Sequence, residues 1–318
     1  MAKNNKNKNN KYTPVNHLTI KKSMTVNELV KAMDSVGVLG SKRIAAACNI
    51  MEAMIKDKDC TVFLGCAGPL VPGGMKNIII DLIENKLIDV LVTTGATLTH
   101  DLIEALGYHH FQGSAKIDDI ELNKKKIDRI YDSFMPNEVY EGMENFFEKN
   151  LAVFEKEKMN VREFIRKIGE LLPNNRKSIL KAAFENNIPI FCPAISDSGI
   201  GLMIYGQIAK GKKIQVDAFD DLKDILDIAW ECKKAGVIYI GGGVPKNYIQ
   251  QAMQLSPKGA NYGVQITTDR EEFGGSSGAP LREGISWGKM EYKAQNIEVF
   301  CDATIALPLL YAALKERL

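Results

Sequence analysis

The chain carries almost no net charge. Its 41 lysines and arginines nearly balance 39 aspartates and glutamates over 318 residues, leaving +2. A nucleic-acid surface needs a basic excess, so no polyanion partner is expected. Long apolar runs are missing as well. None approaches the roughly 18 residues of a membrane span, so no membrane association is expected. CxxC pairs are absent, and the six cysteines, at 48, 60, 66, 192, 232 and 301, are scattered. Several fall in apolar runs such as VFCDAT, which points to free buried thiols in a reducing cytoplasm and to no metal site. The opening MAKNNKNKNNK lacks the apolar core of a signal peptide and the arginine and serine content of a transit peptide. Residues 1–12 therefore read as a disordered, solvated tail and 13–318 as one domain without internal repeats. With 45% hydrophobic and 25% charged residues, the composition is that of a soluble globular protein.

What is present is alternation. Seven apolar runs stop at small or acidic residues: CTVFLGCAG (60–68), IDVLVTTGA (88–96), IPIFCPAISDSG (188–199), IQVDAFDD (214–221), GVIYIGGG (236–243), YGVQITTD (262–269) and IEVFCDAT (297–304). They are near-continuously apolar, as strands buried on both faces should be. Helical patterns separate them. Residues 73–87 place Met75, Ile78, Ile79, Leu82 and Ile83 on one stripe. LTHDLIEALG stops at Gly107, and DDLKDILDIAWECKKAG is expected to stop at Gly236 in the same way. Thr25 and Glu28 form a capping box. The pattern predicts an α/β fold, a doubly wound, mostly parallel sheet flanked by helices. Residues 107–186, more charged, read as a helical insertion. Ligands of such folds bind beyond the carboxyl ends of the strands. That rule selects Gly65, Thr93–Thr94, Asp197, Gly241–Gly243, Thr268–Asp269 and Asp302.

VIYIGGGVPKNYIQQAM reads as strand, glycine turn and helix, a dinucleotide-type signal. It is not the G-x-G-x-x-G fingerprint, because the sixth position is Lys246. FGGSSGAP (273–280) adds a donor-rich loop. Asp197 and Asp302 are either ribose acceptors or helix N-caps. In EGISWGKM, Lys289 follows one of two tryptophans. It is either a solvated lysine on a strand edge or an amine held against Trp287, with Glu283 to anchor a cationic substrate or move a proton. With a nicotinamide site, the second reading implies amine oxidation to an imine that Lys289 captures.

SGAPLREGISWGKM resembles the active-site segment of the deoxyhypusine synthase family, whose signature lysine stands in S-W-G-K. VLVTTGATLTHDLIEALG, RIYDSFMPNEVYE, FCPAISDSGIG, IYIGGGVPK and VFCDATIALPLL extend the resemblance, in order, over nearly the whole chain after the tail. It implies a Rossmann-like, NAD-dependent homotetramer with sites between subunits. Such an enzyme transfers the aminobutyl group of spermidine through a lysine imine to a lysine of the hypusine-bearing translation factor. Homospermidine synthases of the same descent use putrescine as acceptor. Carried over by position, Lys289 forms the imine, while Trp287, Glu283 and Asn247 border the polyamine. Asp197, Gly242, Thr268, Ser277, Asp302, Thr94 and Gly68 fall in the NAD site.

There are departures from the eukaryotic pattern. Asn247 stands where a histidine is found, Leu202 where an aspartate is, and the FGGSSG loop is one residue shorter and lacks an acid. Thr99 and His100 replace paired glutamates. This variant pattern resembles that of a deoxyhypusine synthase-like prokaryotic branch. His100, Glu104, His109 and His110 are candidates for replacement acid–base groups. Fewer carboxylates weaken the hold on a tri-cation, which leaves room for a small-amine acceptor or for an NAD-binding sensor without turnover.

Overall fold

The structure, a computed structural model, describes residues 12–318. The expected tail therefore lies outside the described residues, Tyr12 excepted. Six of the seven apolar runs form one sheet, with strands β1 (Cys60–Cys66), β2 (Val90–Thr93), β3 (Ile190–Phe191), β4 (Lys234–Ile240), β5 (Ala260–Thr267) and β6 (Met290–Phe300). Every pairing is parallel, and the spatial order is β6-β5-β4-β1-β2-β3. The chain thus starts at the centre, builds outward on one side through β3, then returns to build the other side.

Side chains alternate between two cores, as strand geometry requires. Val62, Leu64, Cys66 and Leu91 join a cluster that includes the helices Leu39–Lys56 and Ala303–Lys315. Phe63, Val90, Val92, Val237 and Tyr239 pack on the other face with the helices Asp220–Glu231 and Gly243–Leu255. Burial on both faces explains why the runs read as continuous apolar stretches. Around the sheet, the Lys76–Glu84 helix buries Ile79, Ile80, Leu82 and Ile83, and Met75 and Ile78 pack at the margin of the core. The Thr25–Glu28 capping box forms as expected. Gly107, with φ +105°, follows the Gly95–Ala105 helix.

The two ends of the described chain meet. Thr25 Oγ1 lies 2.8 Å from Glu316 Oε2, and the Arg317 guanidinium donates to Asn27 and Asn49 Oδ1, each at 2.7 Å.

Three expectations need correction. The run 214–221 is not part of the central sheet: Val216–Asp217 pairs with Met159–Asn160 in a separate two-stranded sheet. The helix expected to reach Gly236 ends at Glu231, because Cys232 turns extended with φ −63° and ψ 137°, and Gly236 lies inside β4. The insertion is not purely helical; it also holds an antiparallel sheet of Phe111–Gln112, Ser133–Pro136 and Ile127–Ile130. All six cysteines are free, and Cys48, Cys66 and Cys192 are buried. Among the described residues no helix is long and apolar enough to cross a membrane.

Candidate functional site

In the register of the sheet, Thr93 lies beside Cys66, Cys66 beside Ile240, and Ile240 beside Ile266. The strands therefore stop along one edge, and the residues just past it, Thr94, Ala67–Gly68, Gly241–Gly243 and Thr268, share that edge. The chain reverses its direction of sheet growth between β1 and β4. The segments leaving these two strands lead to helices on opposite faces, Lys76–Glu84 and Gly243–Leu255, the position at which open α/β sheets hold their ligand crevice.

The glycine turn after β4 forms one wall. Gly241 has φ +77°, and a Cβ on it would stand 3.0 Å from the Ala67 carbonyl oxygen. A Cβ on Gly242 would come within 2.4 Å of the Ser277 Cα. A backbone neighbour cannot yield as a side chain can, so the serine loop fits only against glycine. Ser277 then accepts the Gly243 N–H at 2.9 Å. Beneath this contact Gln265, fully buried in β5, donates to the Gly241 carbonyl at 3.0 Å and to the Ser277 carbonyl at 2.8 Å. Its Oε1 accepts from Lys246 Nζ at 2.9 Å, and Lys246 also donates to the Ala279 carbonyl at 2.6 Å. Lys246 is 1% exposed, and burial pulls its ammonium down to about 8. Sequence reasoning assigns no role to Gln265 or Lys246. The available signal was one glutamine inside an apolar strand run.

The other expected cofactor residues lie along the same edge. Asp302 N-caps the Ala303–Lys315 helix, accepting from the Thr304 N–H at 2.7 Å. The Thr304 hydroxyl, and then that backbone bond, hold its carboxyl below the usual range. Asp197 is exposed and caps nothing, since Ser198 is the N-cap of Gly199–Ala209. Thr94 N-caps Gly95–Ala105, Thr268 is exposed directly after β5, and Gly68 has φ +93° in the loop after β1.

Lys289 immediately precedes β6. Its N–H donates to the Gly284 carbonyl at 2.8 Å and its carbonyl accepts from Ala260 at 3.0 Å, which fixes the backbone. The ammonium lies over the Trp287 ring, 4.6 Å from the centroid, and Trp287 is 56% exposed. Glu283 is also exposed. Glu283 and Lys289 both act electrostatically on Lys246, so the glycine wall and the S-W-G-K segment share one neighbourhood. Asn247, half-buried, follows Lys246 on the helix. The cavity of about 400 Å³ lined by Arg162, Arg166 and Phe184 includes Pro189 and Ile190. It therefore lies at the start of β3, opposite the edge described here.

The model of the deoxyhypusine synthase family matches residues 28–314. The chain belongs to the deoxyhypusine synthase family. It is 44% identical over 306 residues to "Probable deoxyhypusine synthase 1" of Methanosarcina acetivorans, covering 96% of each chain. It is 43% identical over 279 residues to "Probable deoxyhypusine synthase 2" of Archaeoglobus fulgidus, covering 85% of this chain and 91% of that one. A solved structure from Entamoeba histolytica, provisionally described as deoxyhypusine synthase, has the same fold. Its TM-score is 0.65 at 22% identity, over 92% of this chain and 93% of that one.

Against the eukaryotic pattern of the deoxyhypusine synthase family, the departures occupy definite places. Leu202 is 63% exposed on Gly199–Ala209. Thr99 is buried and accepts the Ile200 N–H at 3.1 Å, a structural use. His100 belongs to a chain of groups. Its Nδ1 is 2.9 Å from His110 Nε2, and His110 Nδ1 is 2.8 Å from Glu104 Oε1. Lys76 donates to the other Glu104 oxygen, while His109 is exposed and outside the chain.

Burial opposes ionisation of Glu104, but its bonds to His110 and Lys76 prevail and hold its carboxyl low. An ionised carboxylate only accepts, so His110 donates to it from Nδ1. Burial, then the neighbouring His110, pulls His100 down to about 4, so it is neutral near pH 7.

Proposed function

We propose that this protein is an NAD-dependent aminobutyltransferase that takes its group from spermidine and carries it on Lys289. The observation that supports this best is the Lys289 amine over the exposed Trp287 ring, in the neighbourhood of a glycine-walled crevice and in a chain of this family. The edge suits a dinucleotide: a glycine turn, a helix N-terminus and, behind them, a buried cation lie together there. Gly242, Ser277, Thr268 and Gly68 would border NAD, with Asp197 and Asp302 accepting ribose hydroxyls. Thr94, a cap at the same edge, stands with them. Bound NAD supplies a hydride acceptor for the carbon beside the secondary nitrogen of spermidine and later returns the hydride.

The chain's own residues do the rest. Trp287 gives the aliphatic and cationic parts of the polyamine a ring face, Glu283 pairs with an ammonium, and Asn247 offers both a donor and an acceptor. Lys289 Nζ adds to the imine carbon and 1,3-diaminopropane leaves, so the butyl group becomes an imine of Lys289. An acceptor amine then displaces Lys289 by the same exchange, and reduction gives the product.

The acceptor in this reading is a lysine of the hypusine-bearing translation factor. Asn247 and Leu202 support a second reading, with putrescine as acceptor and homospermidine as product, because both remove charge from the polyamine end. Assembly into a homotetramer belongs to the proposal; the exposed Leu202, Tyr205 and Ile208 on one helix are suited to contact with another copy.

The test is a mass-spectrometric product assay with NAD and spermidine, offering putrescine in one arm and the translation factor in the other. Release of 1,3-diaminopropane with a mass gain on the factor supports the first reading, and homospermidine supports the second. NAD binding without diaminopropane in either arm leaves a binding protein, and the transferase reading fails.

A further inference from the structure

Lys246 is a buried ammonium without a counter-ion. Its two hydrogen-bond partners, Gln265 Oε1 and the Ala279 carbonyl, are both neutral, and among the described residues no carboxylate forms an ion pair with it. The charged groups around it act from further away: Glu298 on β6 and Glu283 in the preceding segment favour its charge, and Lys289 opposes it. Glu298 is itself engaged, accepting the Leu281 N–H at 2.7 Å and lying 3.7 Å from Arg43. A buried charge is costly unless something of opposite sign comes to it.

The structural task at this spot does not require the charge. Gln265 already ties the glycine turn to the serine loop through two carbonyls, and a neutral amine would satisfy Ala279 equally well. Lys246 also stands on the first turn of the Gly243–Leu255 helix and reaches across to the Ser277–Ala279 loop. Its charge therefore sits behind both walls of the crevice, where the field of the helix N-terminus has the same sign.

We infer that Lys246 is the counter-charge for the diphosphate of a dinucleotide held over the Gly241–Gly243 turn. The inference rests on the NAD reading above and assigns to one residue the anionic part of that recognition. Lys246 acts here through its field and not by contact. The ammonium of the free protein loses its proton at about 8, and a bound diphosphate moves that loss upward. Affinity is therefore full below about pH 8 and declines above it, with uptake of a proton on binding.

The experiment is calorimetric titration of wild type and Lys246→Met with NAD, ADP-ribose and adenosine, at pH 7 and 9.5 in two buffers of different ionisation enthalpy. Expected for Lys246→Met is a loss of roughly 10- to 100-fold for NAD and ADP-ribose, with adenosine unchanged. Wild type should bind ADP-ribose more weakly at pH 9.5 and take up a proton, and the variant should do neither. Equal affinities for ADP-ribose in the two proteins overturn the inference, as does a loss that adenosine shares. If Lys246→Met does not fold, the wild-type pH series decides alone: a flat ADP-ribose affinity without proton uptake overturns it. Wild type that binds neither NAD nor ADP-ribose removes the dinucleotide reading and this inference with it. Wild type that binds both while the variant matches it removes only the inference.

Discussion

The two halves of the candidate site are built differently. Around the glycine turn, Gln265 and Lys246 are buried and fully engaged, and Ser277 is locked against Gly242. Around Lys289 only the backbone is fixed; Trp287 and Glu283 are exposed and their side chains have no polar partner among the described residues. One half has its hydrogen bonds made before any ligand arrives, with only the Lys246 charge left without a counter-ion. The other half has the adaptable form of a surface that is completed by substrate or by a partner. Rigid cofactor recognition and tolerant amine recognition would follow from that division.

The largest effect should come from the open half. Lys289→Ala should reduce turnover by at least about 10⁴-fold and abolish the borohydride-trapped polyamine adduct seen by mass spectrometry. NAD affinity should stay within about twofold of wild type. A loss of NAD binding in this variant would mean that the two halves are not separable.

In the buried half the same logic predicts a loss of stability. Gln265→Leu leaves the Gly241 and Ser277 carbonyls and the Lys246 ammonium short of partners, and should cost on the order of 3 kcal/mol in denaturant unfolding. A cost under about 0.5 kcal/mol would show that the network is not what holds the two walls together.

Acid sharpens the comparison from a third place. His100 has its folded-state value lowered from 6.5 to about 4, so between those values the unfolded chain binds a proton that the folded one refuses. Stability should therefore fall as the pH drops through that window, by up to about 3 kcal/mol, with the lowered Glu104 adding in the same direction. His100→Gln should flatten the decline. An unchanged acid limb would break the assignment.

The smallest effect is expected from Trp287→Leu. An exposed cation–π contact contributes about 0.5–1 kcal/mol, so a few-fold rise in the KM for spermidine, with melting unchanged, is the expected result.

How much of this was legible in the sequence depended on the length of each pattern. Runs buried on both faces announced six strands and hence the site edge, since the residues that end them follow directly. The run at 214–221 misled because hydrophobicity alone was counted. Gln215 and Asp217 alternate with Ile214 and Val216, the mark of a half-covered segment. The antiparallel sheet within 107–186 was hidden by charge: all four residues of Ile127–Ile130 are only partly buried. In the site, Lys289 and Trp287 were visible because they adjoin in the chain. Lys246 and Gln265 were not, since a polar residue inside an apolar run shows its purpose only when its partners 19 and 33 positions away are known.

The crevice lies between β1 and β4, past the end where Cys66 is paired with Ile240, and the far wall is closed by segments from the last fifth of the chain. A ribosome releasing this protein from its N-terminus therefore emits β1 long before its neighbour on that side exists. During that interval β1 can pair only with β2, and its other flank is an unprotected template. The working edge is thus among the last parts to assemble, and contacts such as Thr25 with Glu316 can close only when synthesis is complete. A nascent chain stalled before Lys234 should hold a half-sheet in want of a chaperone.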